Sequence, residues 1–142
     1  MRRQGFLVSS LFALTALAAV SVAVAASPHF VVGPRFSASN GALTATGKIA
    51  GLGNRNVDVV LEATGVTTCR NRGQHVPPGQ TETVSGEATD LRPDNGQLSF
   101  SVTTASVANP CPDGMRPSTV FTSATLTVFQ GGRVVLQETF TG

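Results

Sequence analysis

The chain has 142 residues with 10 Lys+Arg against 8 Asp+Glu, and its two cysteines, two histidines and eight phenylalanines come with no tryptophan or tyrosine. That length holds one compact domain. The small positive balance resides in Arg2 and Arg3, and residues 26–142 carry eight charges of each sign, so nothing electrostatic points to nucleic acid or an anionic membrane as partner.

Residues 1–25 read as a secretory signal peptide. Arg2 and Arg3 precede an almost unbroken apolar run from Phe6 to Val24, and Ala23-Val24-Ala25 is the small-x-small pattern cut by signal peptidase. A transmembrane anchor needs about 20 apolar residues with polar flanks on both sides and no such cleavage pattern. Arg2-Arg3-Gln4-Gly5-Phe6-Leu7 resembles a twin-arginine signal with one extra residue before the Phe, a departure that favours the general secretion route. The mature chain then begins near Ala26 or Ser27, as a single domain over 26–142. It shows no second hydrophobic stretch, and no cysteine near the cleavage point to take a lipid.

From Phe30 onward, apolar and polar residues alternate with period two, broken by turn residues every ten or so positions, the pattern of an all-β sandwich. Asn40-Gly41 predicts a two-residue hairpin turn, because both residues tolerate positive φ. It places Ala38 opposite Leu43, Phe36 opposite Ala45 and Val32 opposite Ile49, all apolar pairs on one face. Pro34 falls opposite Gly47, which suits an outer edge or a bulge. Val57, Val59, Leu61 and Ala63 form one face of a third strand, with a bulge at Gly65 before Val66 and Cys69. Thr81–Thr89 is a more polar strand with Val84 and Ala88 inward. Leu98, Phe100 and Val102 alternate after the Pro93-Asp94-Asn95-Gly96 turn. For the last hairpin, a three-residue loop Gln130-Gly131-Gly132 pairs Val128 with Val134 and Leu126 with Leu136. A bare two-residue turn would set Leu126 against Gln137 and mix the faces.

The prediction is an immunoglobulin-like antiparallel β-sandwich of about seven strands with no helix, a jelly roll or small barrel being the alternative. Two long connections remain, Arg70–Gln80 and Ala105–Pro117. An even pair of cysteines in an exported domain is most simply one disulfide, here Cys69 to Cys111 across those two loops. Two cysteines and two distant histidines lack zinc-ligand spacing.

Catalysis is hard to build from this inventory. His29 and His75 are the available histidines and no G-x-S-x-G elbow accompanies them. Asp58 and Glu62 share a strand face as a glycosidase pair would, yet they are also the polar side of an amphipathic strand. Asp90, Asp94 and Asn95 lack calcium-loop spacing and suit turns. The reading is therefore of no enzyme, no cofactor and no metal. The constellation left is Arg70, Arg72 and His75 on a Pro/Gly-stiffened loop, facing Asp113 and Arg116 across the bridge. Arg offers planar, bidentate recognition of carboxylate or phosphate, and loops on a rigid scaffold are where recognition concentrates. The competing reading is a solvated tether with Asp113 paired to an Arg.

The residues Cys69, Asn71, Gly73, Pro77 and Gly79, then Asn95-Gly96, then Cys111, Pro112 and Gly114, resemble a pattern in small secreted single-disulfide β-proteins of filamentous soil bacteria. That resemblance implies a disulfide and a secreted β-domain and supplies no activity. Size, export and an Ala/Gly/Thr/Val-rich sandwich are also similar to the neocarzinostatin-type apoproteins, which implies a carrier of a small apolar ligand. Those proteins have two short-range disulfides where this chain has one long-range pair. A Phe-lined apolar cleft would favour the carrier, and an Arg-rich loop face would count against it. The functional expectation is thus an extracellular, non-catalytic domain that binds a protein or small ligand through loops 70–80 and 105–117. A small-ligand carrier or inhibitor, or a structural surface protein, stands as the alternative.

Overall fold

The computed structural model describes residues 27–73 and 79–142. The expected signal peptide and His75 lie outside them. Seven strands follow in order: β1 His29–Ser39, β2 Ala42–Ala50, β3 Val57–Arg70, β4 Gln80–Leu91, β5 Leu98–Thr103, β6 Arg116–Gln130 and β7 Arg133–Thr141. They make two antiparallel sheets, ordered β1-β2-β5 and β4-β3-β6-β7, and no helix occurs among the described residues. The connectivity is immunoglobulin-like, with β4 lying beside β3 instead of joining β5.

Period-two patterning builds the core directly. Along β3, every other residue from Val57 to Cys69 is buried. Leu43, Ala45 and Ile49 of β2 and Leu98, Phe100 and Val102 of β5 meet Val59, Leu61, Leu126 and Val128 from the other sheet. Each of these larger side chains contributes about 1.5–3 kcal/mol by leaving water. Val84 and Ala88 of β4 pack against the same cluster, as their alternation predicts.

Turn chemistry sets most of the registers. Asn40 and Gly41 take φ of 51° and 74°, and Ala38 and Phe36 pair with Leu43 and Ala45 as expected. Further out, the expected Val32–Ile49 pair does not form. Irregularities on either side of Val32 shift the ladder, so Phe30 faces Ile49 and Val32 faces Lys48. Pro34 lies inside that irregular stretch, on an edge strand, where its missing N–H costs no ladder bond. At Gly65 the bulge appears in the pairing with β6, where Thr64 faces Ser123 and Gly65 faces Phe121, leaving Thr122 as the extra residue.

The last hairpin corrects the expected loop. Gln130 pairs with Arg133, so the turn is the two-residue Gly131-Gly132, both at positive φ. The face mixing that argued against it is removed by a bulge one step on, where Phe129 faces Val134 and Val128 faces Leu136, with Val135 between. Leu126 consequently faces Glu138, not Leu136.

Candidate functional site

The predicted bridge is present. Cys69 closes β3 on its inward side, and its sulfur is bonded to Cys111 at 2.06 Å with Cα atoms 5.5 Å apart. One residue on, the alternation turns Arg70 outward and exposes it. Arg70 and Arg116 are direct cross-strand partners at the mouth of the β3–β6 ladder. Arg72 follows in the turn after β3. On the facing segment Asn109 Oδ1 accepts the Cys111 amide at 2.9 Å. The Met115 amide donates to the Pro112 carbonyl at 3.1 Å, and Gly114 supplies the positive φ of 83° that this tight turn needs.

Together Arg70, Asn71, Arg72, Gly114 and Arg116 line a depression of about 320 Å³. Three of the five sequence-predicted residues are therefore brought to one place. Asp113 is exposed in the adjoining turn and does not line the depression. The local Asp113–Arg ion pair of the tether reading does not form among the described residues. What these groups can do chemically is donate in-plane N–H pairs and positive charge to an anion.

Two further hollows share this part of the molecule. The first hairpin belongs to the same end, because the Val107 amide donates to the Gly41 carbonyl at 2.8 Å. Between that hairpin and residues 107–109 opens a cleft of about 460 Å³. Thr67 and Thr119 lie in its lining, their hydroxyls bonded to each other at 2.8 Å. Phe121 leads from it into a more apolar cleft of about 360 Å³ between β1 and β7, lined also by Phe36, Leu43, Ala124 and Phe140. Phe36 and Phe140 meet with ring centroids 5.1 Å apart across this open side. Sequence reasoning missed both clefts. Their walls come from strands that are neighbours only after the two sheets pack, and Phe periodicity pointed simply inward.

The remaining polar candidates resolve into local structure. Asp58 Oδ1 accepts the Asp90 amide at 2.7 Å, and Asp90 Oδ1 accepts from Asn56 at 2.7 Å. Asn95 holds positive φ in the turn between Asp94 and Gln97, whereas Asp90, expected in a turn, lies inside β4 and takes its positive φ at a bulge in the β3–β4 ladder. His29 opens β1 in an exposed position with Nδ1 2.8 Å from the Ser27 carbonyl. No group of three or more His, Cys, Asp or Glu able to hold a metal occurs among the described residues, and no helix there is long and apolar enough to cross a membrane. Comparison with protein-family models, curated proteins and solved structures finds no match to this chain.

Proposed function

We propose that the chain is an exported, non-catalytic recognition domain whose binding surface is the end closed by Cys69–Cys111. One observation carries the reading. The β3–β6 ladder and the adjoining Cys69–Cys111 bond bring Arg70, Arg72 and Arg116 around one depression, and a surface ordered before binding loses less entropy on binding. Export rests on the leader-like residues 1–25 and on a disulfide of the kind kept in oxidising compartments.

The test is affinity capture from the producing culture with oxidised protein as bait, beside a folded Arg70→Ala/Arg72→Ala/Arg116→Ala variant. A ligand or protein retained by the first and lost by the second supports the reading. Equal retention by both places recognition elsewhere. Intact mass of the protein in the medium checks export, the expected product lacking residues 1–25 and two hydrogens.

A second reading, a carrier of a small apolar ligand, is favoured by the Phe36/Phe121/Phe140 cleft. Its volume falls in the range of small-ligand sites, about 300–1,000 Å³. A bound small molecule detected by native mass spectrometry, and lost in Phe140→Ala, would select this reading over the first.

A further inference from the structure

We propose that the disulfide-closed end takes a ligand presenting clustered tetrahedral oxyanions, phosphate or sulfate groups set close together, held by Arg70, Arg72 and Arg116. The inference rests on this end being a recognition surface and adds the chemistry of what is recognised.

The register supplies the first argument. Arg70 and Arg116 stand directly opposite each other on adjacent strands, and like charges so placed repel. A guanidinium stays protonated in proteins, so it cannot relieve the repulsion by losing its charge. Neither Arg makes an ion pair among the described residues. A charge pair held without a neutralising partner favours an anion from outside.

The distribution of charge supplies the second. Residues 26–142 carry eight charges of each sign, so the Arg cluster reflects segregation and not a generally basic chain. At the opposite end Arg55, Arg92 and Arg133 are interleaved in sequence with Asp58, Asp90 and Asp94. Across the whole of 71–79 and 104–115 there is one carboxylate, Asp113, and it stays out of the depression.

Geometry narrows the class. Three arginines from two chain segments line a single hollow of about 320 Å³. A lone carboxylate offers two oxygens and one charge, enough for one of them. Adjacent phosphate or sulfate groups offer at least three acceptors each and the multiple charge that three cations match.

The test uses the full chain expressed, exported and purified in its oxidised form, with tripolyphosphate as the calorimetric probe and orthophosphate for comparison. One tripolyphosphate per chain is expected, bound at least about tenfold more tightly than orthophosphate and weakened by salt. Arg70→Gln and Arg116→Gln should each lose about tenfold or more in affinity, while Arg133→Gln, at the opposite end, changes it little. Circular dichroism and melting of each variant verify that it folds. A second arm titrates vesicles containing phosphatidylglycerol. Arg70-dependent binding to vesicles, stronger than to tripolyphosphate, keeps the site and assigns the oxyanions to a lipid headgroup. Affinities equal in wild type and the Arg70→Gln/Arg116→Gln variant, or lowered as much by Arg133→Gln, overturn the proposal. If no oxyanion probe binds yet culture capture still depends on the three arginines, the ligand class falls and the recognition surface stands. Failure of both removes the two together.

Discussion

Gln130 shows how much of this fold hangs on single polar groups. Its Nε2 donates to the Leu52 carbonyl at 2.6 Å and to the Arg55 carbonyl at 2.9 Å, tying the β2–β3 connection to the end of β6. Leu52 is buried, so its carbonyl has little access to replacement water. Gln130→Ala should cost about 1–3 kcal/mol, seen as a lower urea midpoint with unchanged slope. Gly86 makes the opposite kind of demand, for empty space. A Cβ there would stand 1.9 Å from the Thr103 carbonyl oxygen and 2.6 Å from its carbon. Gly86→Ala must therefore push β4 away from the end of β5, costing about 1–3 kcal/mol. Gly33→Ala is the control, since nothing lies within 4 Å of the added carbon, and its effect should stay within about 0.5 kcal/mol. Equal melting temperatures for the two alanine variants would refute the close approach. Gly86 gave no such signal in the sequence, where it is simply one member of a polar strand. The backbone that crowds it comes from the other sheet.

Among the strands, alternation carried nearly all the information. Each core strand announced its inward residues, and Asn40-Gly41 fixed the first register near the turn. What alternation cannot do is locate an odd residue. In the last hairpin an apolar match needs even positions of β6 opposite even positions of β7. A three-residue loop achieves that, and so does a two-residue turn followed by a bulge. The molecule takes the second route, with the spare residue at Val135, where it still packs against the core. The same ambiguity moved Val32 off Ile49. The turn type is testable because only the two-residue form puts Gly131 itself at positive φ, here 60°. Asn tolerates that conformation and is favoured at the first position of such turns. The nearest atoms to an added Cβ belong to the flexible end of Arg55. Gly131→Asn should accordingly raise stability by about 0.4–1 kcal/mol through a less free unfolded chain, read from thermal melting. A loss would return the hairpin to the three-residue loop.

At the scale of the whole molecule the sandwich closes its two ends by different means, and that difference separates what the sequence could show from what it could not. The far end is held by short polar contacts. The Leu52 amide donates to the Gly96 carbonyl at 3.0 Å, and Gln130 and Asp58 complete the set. None of these can be read from residue types, since they join positions 44 or more apart or depend on a bulge. The near end is held covalently, and the cysteines marked it in advance along with Arg70, Arg72 and Arg116. Its two clefts stayed hidden, because the segments that wall them come together only after folding. Removing the bridge with Cys69→Ala/Cys111→Ala frees a loop of sequence separation 42, worth about 4 kcal/mol in the chain-entropy account. That is a large part of a domain stability of about 5–15 kcal/mol, yet the core cluster does not include the cystine, so the variant should still fold. Its hydrogen exchange should then divide by end. Amides of Val107 and Met115 lose protection well beyond the global change, because both donors sit in the 104–115 segment that the bridge tethers to β3. Amides of Leu52 and Asp90, at the polar-bonded end, fall only by the global amount. Uniform loss across both ends would mean that the bridge acts on the whole sandwich and that the near end is not a separately ordered recognition surface.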